Sequence, residues 1–367
     1  LWQGLNNGEP AEAIERLIRE NETGASTPLC IVVEGVGMFT VGSSPKLLGS
    51  AAATMEAVLD ILVIASYFGG PRPLPDSGLE YIRQSETEAY RHELLAGREK
   101  PHALTGRVAV VSGAGSGLGR GISLGLAKKG MHVVLADIDL DGARETKRRI
   151  EEQDESEGSG WPMKVDVTDE ESVEELYRTV ITNLGGVDVL VNCAGIAPPA
   201  PLLDFEVDDF RKTLEVNLVG YFLMAREGAR VMKRQGSGGN IVNLSSKTGL
   251  EASKNHSAYN ATKSGEIHLA RGWAQELAEF GVRVNVVCPG NVFRESKIWN
   301  DEYIEALAEK RGLDPDEVIP YYINLTALQE EIDWDDIADA VAFLASPHAS
   351  KITGQTLVVD AGQVFVR

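Results

Sequence analysis

From about Leu104 onward the chain alternates short β-branched runs with stretches of helical period. The runs are Val108–Ser112, Val133–Ala136, Val187–Asn192, Ile241–Leu244, Val282–Val287 and Leu357–Val359. Near-continuous Val, Ile and Leu separated by helix-length segments predicts crossover units and a parallel sheet covered on both faces. The expected class is α/β, a doubly wound sheet. The first 98 residues have another rhythm and predict a smaller α/β segment: a helix over Pro10–Glu20, a strand over Leu29–Glu34, a hairpin over Gly35–Val41 and a long helix from Pro45 to Tyr67. Gly69-Gly70-Pro71-Arg72-Pro73 ends that helix, and a further helix is expected over Gly78–Leu95. The polar stretch around Pro101 reads as a linker, giving segments 1–98, 99–103 and 104–367.

Length supports that division, because 367 residues exceed the usual single core. A formal charge of −20 argues against nucleic acid or an anionic membrane as partner, since both want a basic surface. The densest acidic run, Glu151 to Glu157, reads as a solvated loop or helix end. Cys30, Cys193 and Cys288 lie far apart in apolar runs, which predicts buried free thiols in a reducing cytoplasm rather than a disulfide or zinc framework. Ala57 to Tyr67 is the most apolar stretch; it is too short to span a bilayer, so a buried helix is expected. No signal-peptide pattern is seen, and a start at Leu1 without Met suggests a processed, truncated or excerpted product.

Directly after the first long run comes Ser112-Gly113-Ala114-Gly115-Ser116-Gly117-Leu118-Gly119, followed by a helical pattern through Lys128. Gly113, Gly117 and Gly119, with Ser116 and Leu118 between them, let backbone approach a pyrophosphate that also meets the positive end of the helix dipole. Eighteen residues past Gly119, at the end of the second run, stands Asp137. A carboxylate there can accept from the adenosine ribose hydroxyls and repel a 2′-phosphate, favouring NAD over NADP. A cap for the helix that follows is the other reading, the position after the second run favours the cofactor role, and Arg144 stands nearby. Asp166 and Val167 form the expected adenine-facing pair, or a cap for the helix starting near Thr168.

Tyr259 and Lys263 are four residues apart and share a helix face. A phenol needs a fixed cation beside it to act as a base near neutral pH, and Lys263 supplies one. Ser246, 13 residues before the tyrosine, offers a second hydroxyl to orient a C–O group. A solvated Tyr–Lys surface pair is the other reading of the same spacing.

Together these residues resemble the short-chain dehydrogenase/reductase family over roughly 104–367, which implies a Rossmann sheet. The Gly-rich loop matches TGxxxGxG with Ser112 for Thr, and Asn192-Cys193-Ala194-Gly195 matches NNAG with Cys for the second Asn. The resemblance implies that Asn217, Ser246, Tyr259 and Lys263 are a catalytic tetrad, with Tyr259 the acid/base and Asn217 holding a water behind the lysine. It implies NAD contacts from Asn192, Ala194, Gly195, Tyr259, Lys263, the Pro289-Gly290 turn and Val292. Arg294 stands where the family often has Thr, and is expected to point at substrate.

Within the family, Ser245–Gly249, Ser253–Ser257, Gly312–Asp316 and Gly362–Phe365 look like the enzymes that interconvert sorbitol 6-phosphate and fructose 6-phosphate with NAD. Lys247, Lys254, His256, Arg294 and Lys297 fall in loops flanking the catalytic hydroxyls, which suits a phosphorylated polyol or ketose; solvated loop charge is the other reading. Ile31–Gly42 and the helix after it look like the last part of a class II aldolase/adducin-type domain, and Phe293–Trp299 like the dehydrogenase half of bifunctional proteins that oxidise lactaldehyde. That aldolase needs three histidines, and none occurs before His92, so no metal site is expected and the segment is read as non-catalytic. Lactaldehyde oxidation and a non-catalytic NAD-sensing scaffold are the alternatives, and the resemblance suggests a homodimer or homotetramer.

Overall fold

Cys30–Val33 (β1) and Gly37–Thr40 (β2) pair antiparallel, from Cys30 opposite Thr40 to Val33 opposite Gly37. The helix Pro45–Ser66 (α1) follows and packs on both strands. They belong to the first of two compact units in this computed structural model, Leu1–Lys100 and Pro101–Arg367. The structure describes residues 30–33, 37–40, 45–71, 75, 102–153, 158–296 and 299–365. The helices expected over 10–20 and 78–95, Lys297, and the acidic residues 154–157 lie outside them.

The expectation of a buried helix over Ala57–Tyr67 is corrected. Leu48, Met55, Leu59 and Leu62 of α1 are half-buried on one face, while Ile61 is 63% and Ile64 59% exposed. A helix apolar around most of its circumference cannot be covered by two four-residue strands, so only one stripe gains cover.

In the second unit, strands and helices alternate: Val108–Ser112 (β3), Gly117–Lys128 (α2), His132–Asp137 (β4), Leu140–Glu151 (α3), Ser159–Lys164 (β5), Glu170–Leu184 (α4) and Val189–Asn192 (β6). Then come Val207–Leu214 (α5), a π-helical turn at Glu215–Val219, Gly220–Gln235 (α6), Gly239–Leu244 (β7), Ser257–Leu277 (α7) and Val282–Pro289 (β8). Asp301–Arg311 (α8), Pro315–Asn324 (α9), Trp334–Ala345 (α10) and Thr356–Val359 (β9) complete it. Seven strands form one sheet in the order β5-β4-β3-β6-β7-β8-β9, all pairs parallel. Strand order reverses between β3 and β6, and a doubly wound sheet opens its ligand crevice at that point.

Strand alternation feeds two cores. Val108 and Val110 face one with Val173, Leu176, Met224 and Ile267; Ala109 and Val111 face the other with Ile122, Leu126, Ile337 and Val341. In the second core α10 lies flush on α2, because a Cβ at Gly121 would come 2.4 Å from Trp334 and one at Gly125 2.5 Å from Ala338. β5 was absent from the predicted runs. Its sequence, Ser-Gly-Trp-Pro-Met-Lys, carries little β-propensity, but it is an edge strand, where Pro162 needs no ladder donor on its open side. Among the described residues no helix is long and apolar enough to cross a membrane, and Cys30, Cys193 and Cys288 are free, with Cys288 buried and the others half-buried.

Candidate active site

At the carboxyl end of β3 the chain turns through Gly113 at φ 71 and Gly117 at φ 50 into α2. A Cβ at Gly119 would lie 2.0 Å from the Gly113 carbonyl oxygen, so the loop closes on itself only with glycine there. Ser116 is the N-cap of α2 in extended backbone and accepts no side-chain cap bond. First-turn N–H groups at such an end have no partner within the helix and carry the positive end of its dipole. Ser112 fills the place of the family's Thr: its Oγ accepts from the amides of Cys193 at 3.0 Å and Ala194 at 3.2 Å, tying the ends of β3 and β6 together. A Cβ at Gly113 would meet Ala194 Cα at 2.9 Å, so Ala194 borders the loop.

Asp137 ends β4 with both oxygens occupied by backbone: Oδ2 accepts from Gly115 N at 2.7 Å and Oδ1 from Asp139 N at 2.8 Å. Capping of α3 falls instead to Asp139, which accepts from Gly142 N. Arg144 is paired with Asp141 at 2.9 Å. Asp166 accepts from the amide and hydroxyl of Thr168, while Asp169 caps α4, and Val167 packs against Gly220. Asn192 is fully buried, donating to Asn243 Oδ1 and to the Tyr221 carbonyl, so its side chain ties β6 to β7 and α6.

Tyr259 and Lys263 stand on α7. The ammonium of Lys263 donates to Leu244 O at 2.8 Å and to both oxygens of Glu266 at 2.9 and 3.0 Å; it lies 5.5 Å from the Tyr259 ring centre and 5.2 Å from that of Tyr221. Burial works against the charge of Lys263, but Glu266 and Tyr259 outweigh it and its pKa is raised. Tyr259 is raised first by burial; Lys263 and a hydrogen bond with Ser246 bring it back down, and Glu266 pushes it up. Ser246 also accepts from Thr248 N at 3.2 Å, which fixes it at the head of a short 3-10 turn, and Ser245 donates to the Lys263 carbonyl at 2.7 Å. Asn217 lies in the π-helical turn, a local defect frequent at functional sites. It is fully buried, bonded to Ile196 N and O at 2.9 and 3.0 Å and to Thr262 Oγ1 at 3.1 Å.

After β8, the amide of Gly290 donates to Val359 O at 2.8 Å and Val292 bridges to Ile332, so this loop is fixed to the β9 side of the sheet. Arg294 pairs with Asp333 at 2.8 Å and its guanidinium lies 4.0 Å over Trp334. Glu295, at φ 49, bridges Arg120 of α2 at 3.0 Å and Arg149 of α3 at 2.8 Å. Arg120 in turn donates to the Gly115 carbonyl and to Thr146. Lys247 is partly buried, and that burial lowers its pKa to about 8; its partner is the neutral Gln363 side chain at 2.7 Å. His256 accepts from or donates to nothing beyond Lys254 O at 2.9 Å among the bonds seen, and its ring stands 6.3 Å edge-on from Tyr259. Lys254 itself is exposed.

The geometry therefore brings Ser246, Tyr259, Lys263 and His256 together, with Lys247 next to Ser246 in the chain. Glu266, Tyr221, Arg120 and Glu295 were not among the sequence candidates. Glu266 had a signal, three residues after Lys263 and seven after Tyr259 on one helix face; Glu295 had none, because its partners are distant in sequence. A phenol, an ammonium and a hydroxyl so grouped can exchange a proton with an alcohol, beside a loop shaped for a dinucleotide.

Residues 113–363 match the family described as enoyl-(acyl carrier protein) reductase. An uncharacterized oxidoreductase, YuxG of Bacillus subtilis, is 34% identical over 338 residues; the alignment covers 92% of this chain but 48% of that protein, so the chain spans about half its length. Sorbitol-6-phosphate 2-dehydrogenase of Escherichia coli is 40% identical over 259 residues, 71% of this chain and 99% of that protein. Among solved structures, an NAD+-bound xylitol dehydrogenase is 30% identical with a TM-score of 0.65, covering 71% of this chain and 99% of that one.

Proposed function

This chain belongs to the short-chain dehydrogenase/reductase family, and from that premise we propose that it interconverts the secondary alcohol and ketone of a sugar-alcohol phosphate, of the sorbitol 6-phosphate and fructose 6-phosphate type, using NAD. Membership makes it an oxidoreductase, an NAD(P)-dependent dehydrogenase. The single observation that carries the proposed chemistry is the buried Lys263 ammonium 5.5 Å from the Tyr259 ring, with Ser246 bonded to the same phenol.

The cradle fits a dinucleotide, because the space a Cβ would fill at Gly119 is already closed by backbone and the helix end above it is uncapped. Gly113, Ser116, Gly117, Leu118 and Gly119 would hold the pyrophosphate, Asp137 the adenosine ribose, Asp166 and Val167 the adenine. Asn192, Ala194, Gly195, Pro289, Gly290 and Val292 would line the nicotinamide half. When bound, the nicotinamide supplies a hydride acceptor. Asp137 supports NAD over NADP, since a carboxylate repels a 2′-phosphate and Arg144 is already paired with Asp141.

In alcohol oxidation Tyr259, as phenolate, takes the hydroxyl proton while Ser246 donates to the same oxygen and holds it in place. Lys263 favours the phenolate electrostatically. Asn217 fixes the turn at 196 and Thr262 beside that pair. Lys247 is the strongest support for an anionic substrate: its ammonium is desolvated, its hydrogen bond goes to a neutral amide, and the charges of Asp360 and Glu251 offset that burial only in part, so an anion would satisfy it better than water. Lys254 and His256 would complete that side of the mouth. Arg294 is not included.

A second reading is favoured by the YuxG alignment, which extends over 92% of this chain and so across part of the first unit. There the first 98 residues are a non-catalytic aldolase/adducin-like remnant joined through 99–103 to a dehydrogenase of lactaldehyde type at 104–367. On either reading we expect a cytoplasmic homodimer or homotetramer. Purified protein given NAD+ and sorbitol 6-phosphate should form NADH, and much less with NADP+. Turnover of lactaldehyde or unphosphorylated polyols alone would remove the substrate assignment.

A further inference from the structure

We propose that Glu266 is a positioning residue of the reaction: its buried carboxylate grips the Lys263 ammonium and thereby sets how strongly that cation favours the ionised form of Tyr259. The inference rests on the reading of Tyr259 as acid/base, and it concerns a residue that the tetrad leaves out.

Glu266 is 0% and Lys263 5% exposed at the side chain, and the contact is bidentate at 2.9 and 3.0 Å. A pair this dry costs desolvation that apolar side chains of the same volume would not, so stability alone is a poor reason for it. An ammonium has three N–H donors. Here they meet Leu244 O and the two Glu266 oxygens, and Tyr221 Oη stands further off at 3.5 Å. Two of the three donor positions are therefore held by Glu266 and one by Leu244 O, which makes the carboxylate the charged group that meters the cation.

The groups facing Glu266 come from every side. Tyr259 and Lys263 share α7, Tyr221 comes from α6, Cys193 from the loop after β6 and Cys288 from β8; each senses its charge, and Lys263 is the cation among them. Burial pushes the Glu266 carboxyl up and the Lys263 ammonium, held at 2.9 and 3.0 Å, opposes that rise. With Glu266 ionised, the phenolate of Tyr259 meets a nearly neutral pair. With it uncharged, the phenolate meets a net cation and forms at lower pH, while the unpaired ammonium sheds its proton at lower pH too.

Glu266→Gln should move both limbs of the pH profile of kcat for alcohol oxidation downward, by on the order of one pH unit. Glu266→Met, which removes the charge without adding a polar group, should do the same, and Glu266→Asp should restore most of the wild-type profile. Ultraviolet difference titration of tyrosinate against Tyr259→Phe reads the same shift without cofactor or substrate. Unmoved limbs in the neutral variants would overturn the proposal, as would an Asp variant displaced as far as the Gln variant. Loss of the fold in both neutral variants would assign Glu266 a structural role and overturn it equally. An active Tyr259→Phe protein would instead remove the acid/base reading on which the inference rests.

Discussion

The glycine-rich turn after β3 and the Tyr259 cluster on α7, the proposed nucleotide and alcohol ends of the crevice, are built from different material. The first is made of main chain: glycine turns at 113 and 117, a closed approach at 119, and an uncapped helix start. The second is made of side chains, the buried Lys263, Glu266 and Tyr221 and the half-buried Tyr259. Backbone recognition depends on the absence of side chains and tolerates almost none; side-chain recognition depends on charge balance and can be tuned. Substitutions at the two ends should consequently fail in different ways.

The sharpest separation is Tyr259→Phe, which should lower kcat by about 10³-fold or more while leaving NADH affinity within a few-fold, read by fluorescence titration. Weakened NADH binding of the same size would merge the two ends. Gly119→Ala should do the reverse: its methyl would collide with Gly113 O, so NADH binding should be lost together with roughly 2 kcal/mol of stability by thermal melting. Lys247→Met should raise KM for a phosphorylated polyol by about 10- to 100-fold and leave an unphosphorylated one alone. Because burial lowers Lys247 to about 8, the wild-type protein should lose that affinity as pH rises through 8, and the variant should show no such step. Glu295→Gln should have the smallest effect, a few-fold faster NADH release in stopped flow, since the bridges it breaks to Arg120 and Arg149 are partly exposed.

The same contrast explains what could be read beforehand. Six of the seven parallel strands were visible as Val- and Ile-rich runs because buried strands need apolar side chains on both faces; β5 escaped because an edge position accepts Gly160 and Pro162. The glycine-rich turn between β3 and α2 was legible because glycine requirements are local. Tyr259 and Lys263 were legible because helix spacing puts them on one face, and Glu266 shared that face without being singled out. The ion pair of Arg294 was not legible because a side chain's partner is tertiary information: nothing in Phe293–Trp299 announces Asp333, 39 residues on. α1 misled, since an apolar run says what needs cover and not whether cover exists nearby.

The segment after β8 is held at three successive points: Val292 to Ile332, Arg294 to Asp333, and Glu295 to Arg120 and Arg149. It works as a truss spanning the two halves of the crevice. Beyond it, α8 and α9 keep a small aromatic core of their own, with Trp299, Tyr303 and Tyr322 around Leu307 and Val318. Because α8 and α9 pack on that core of their own, changes past the truss can be absorbed there while the ties that brace the glycine-rich turn stay in place.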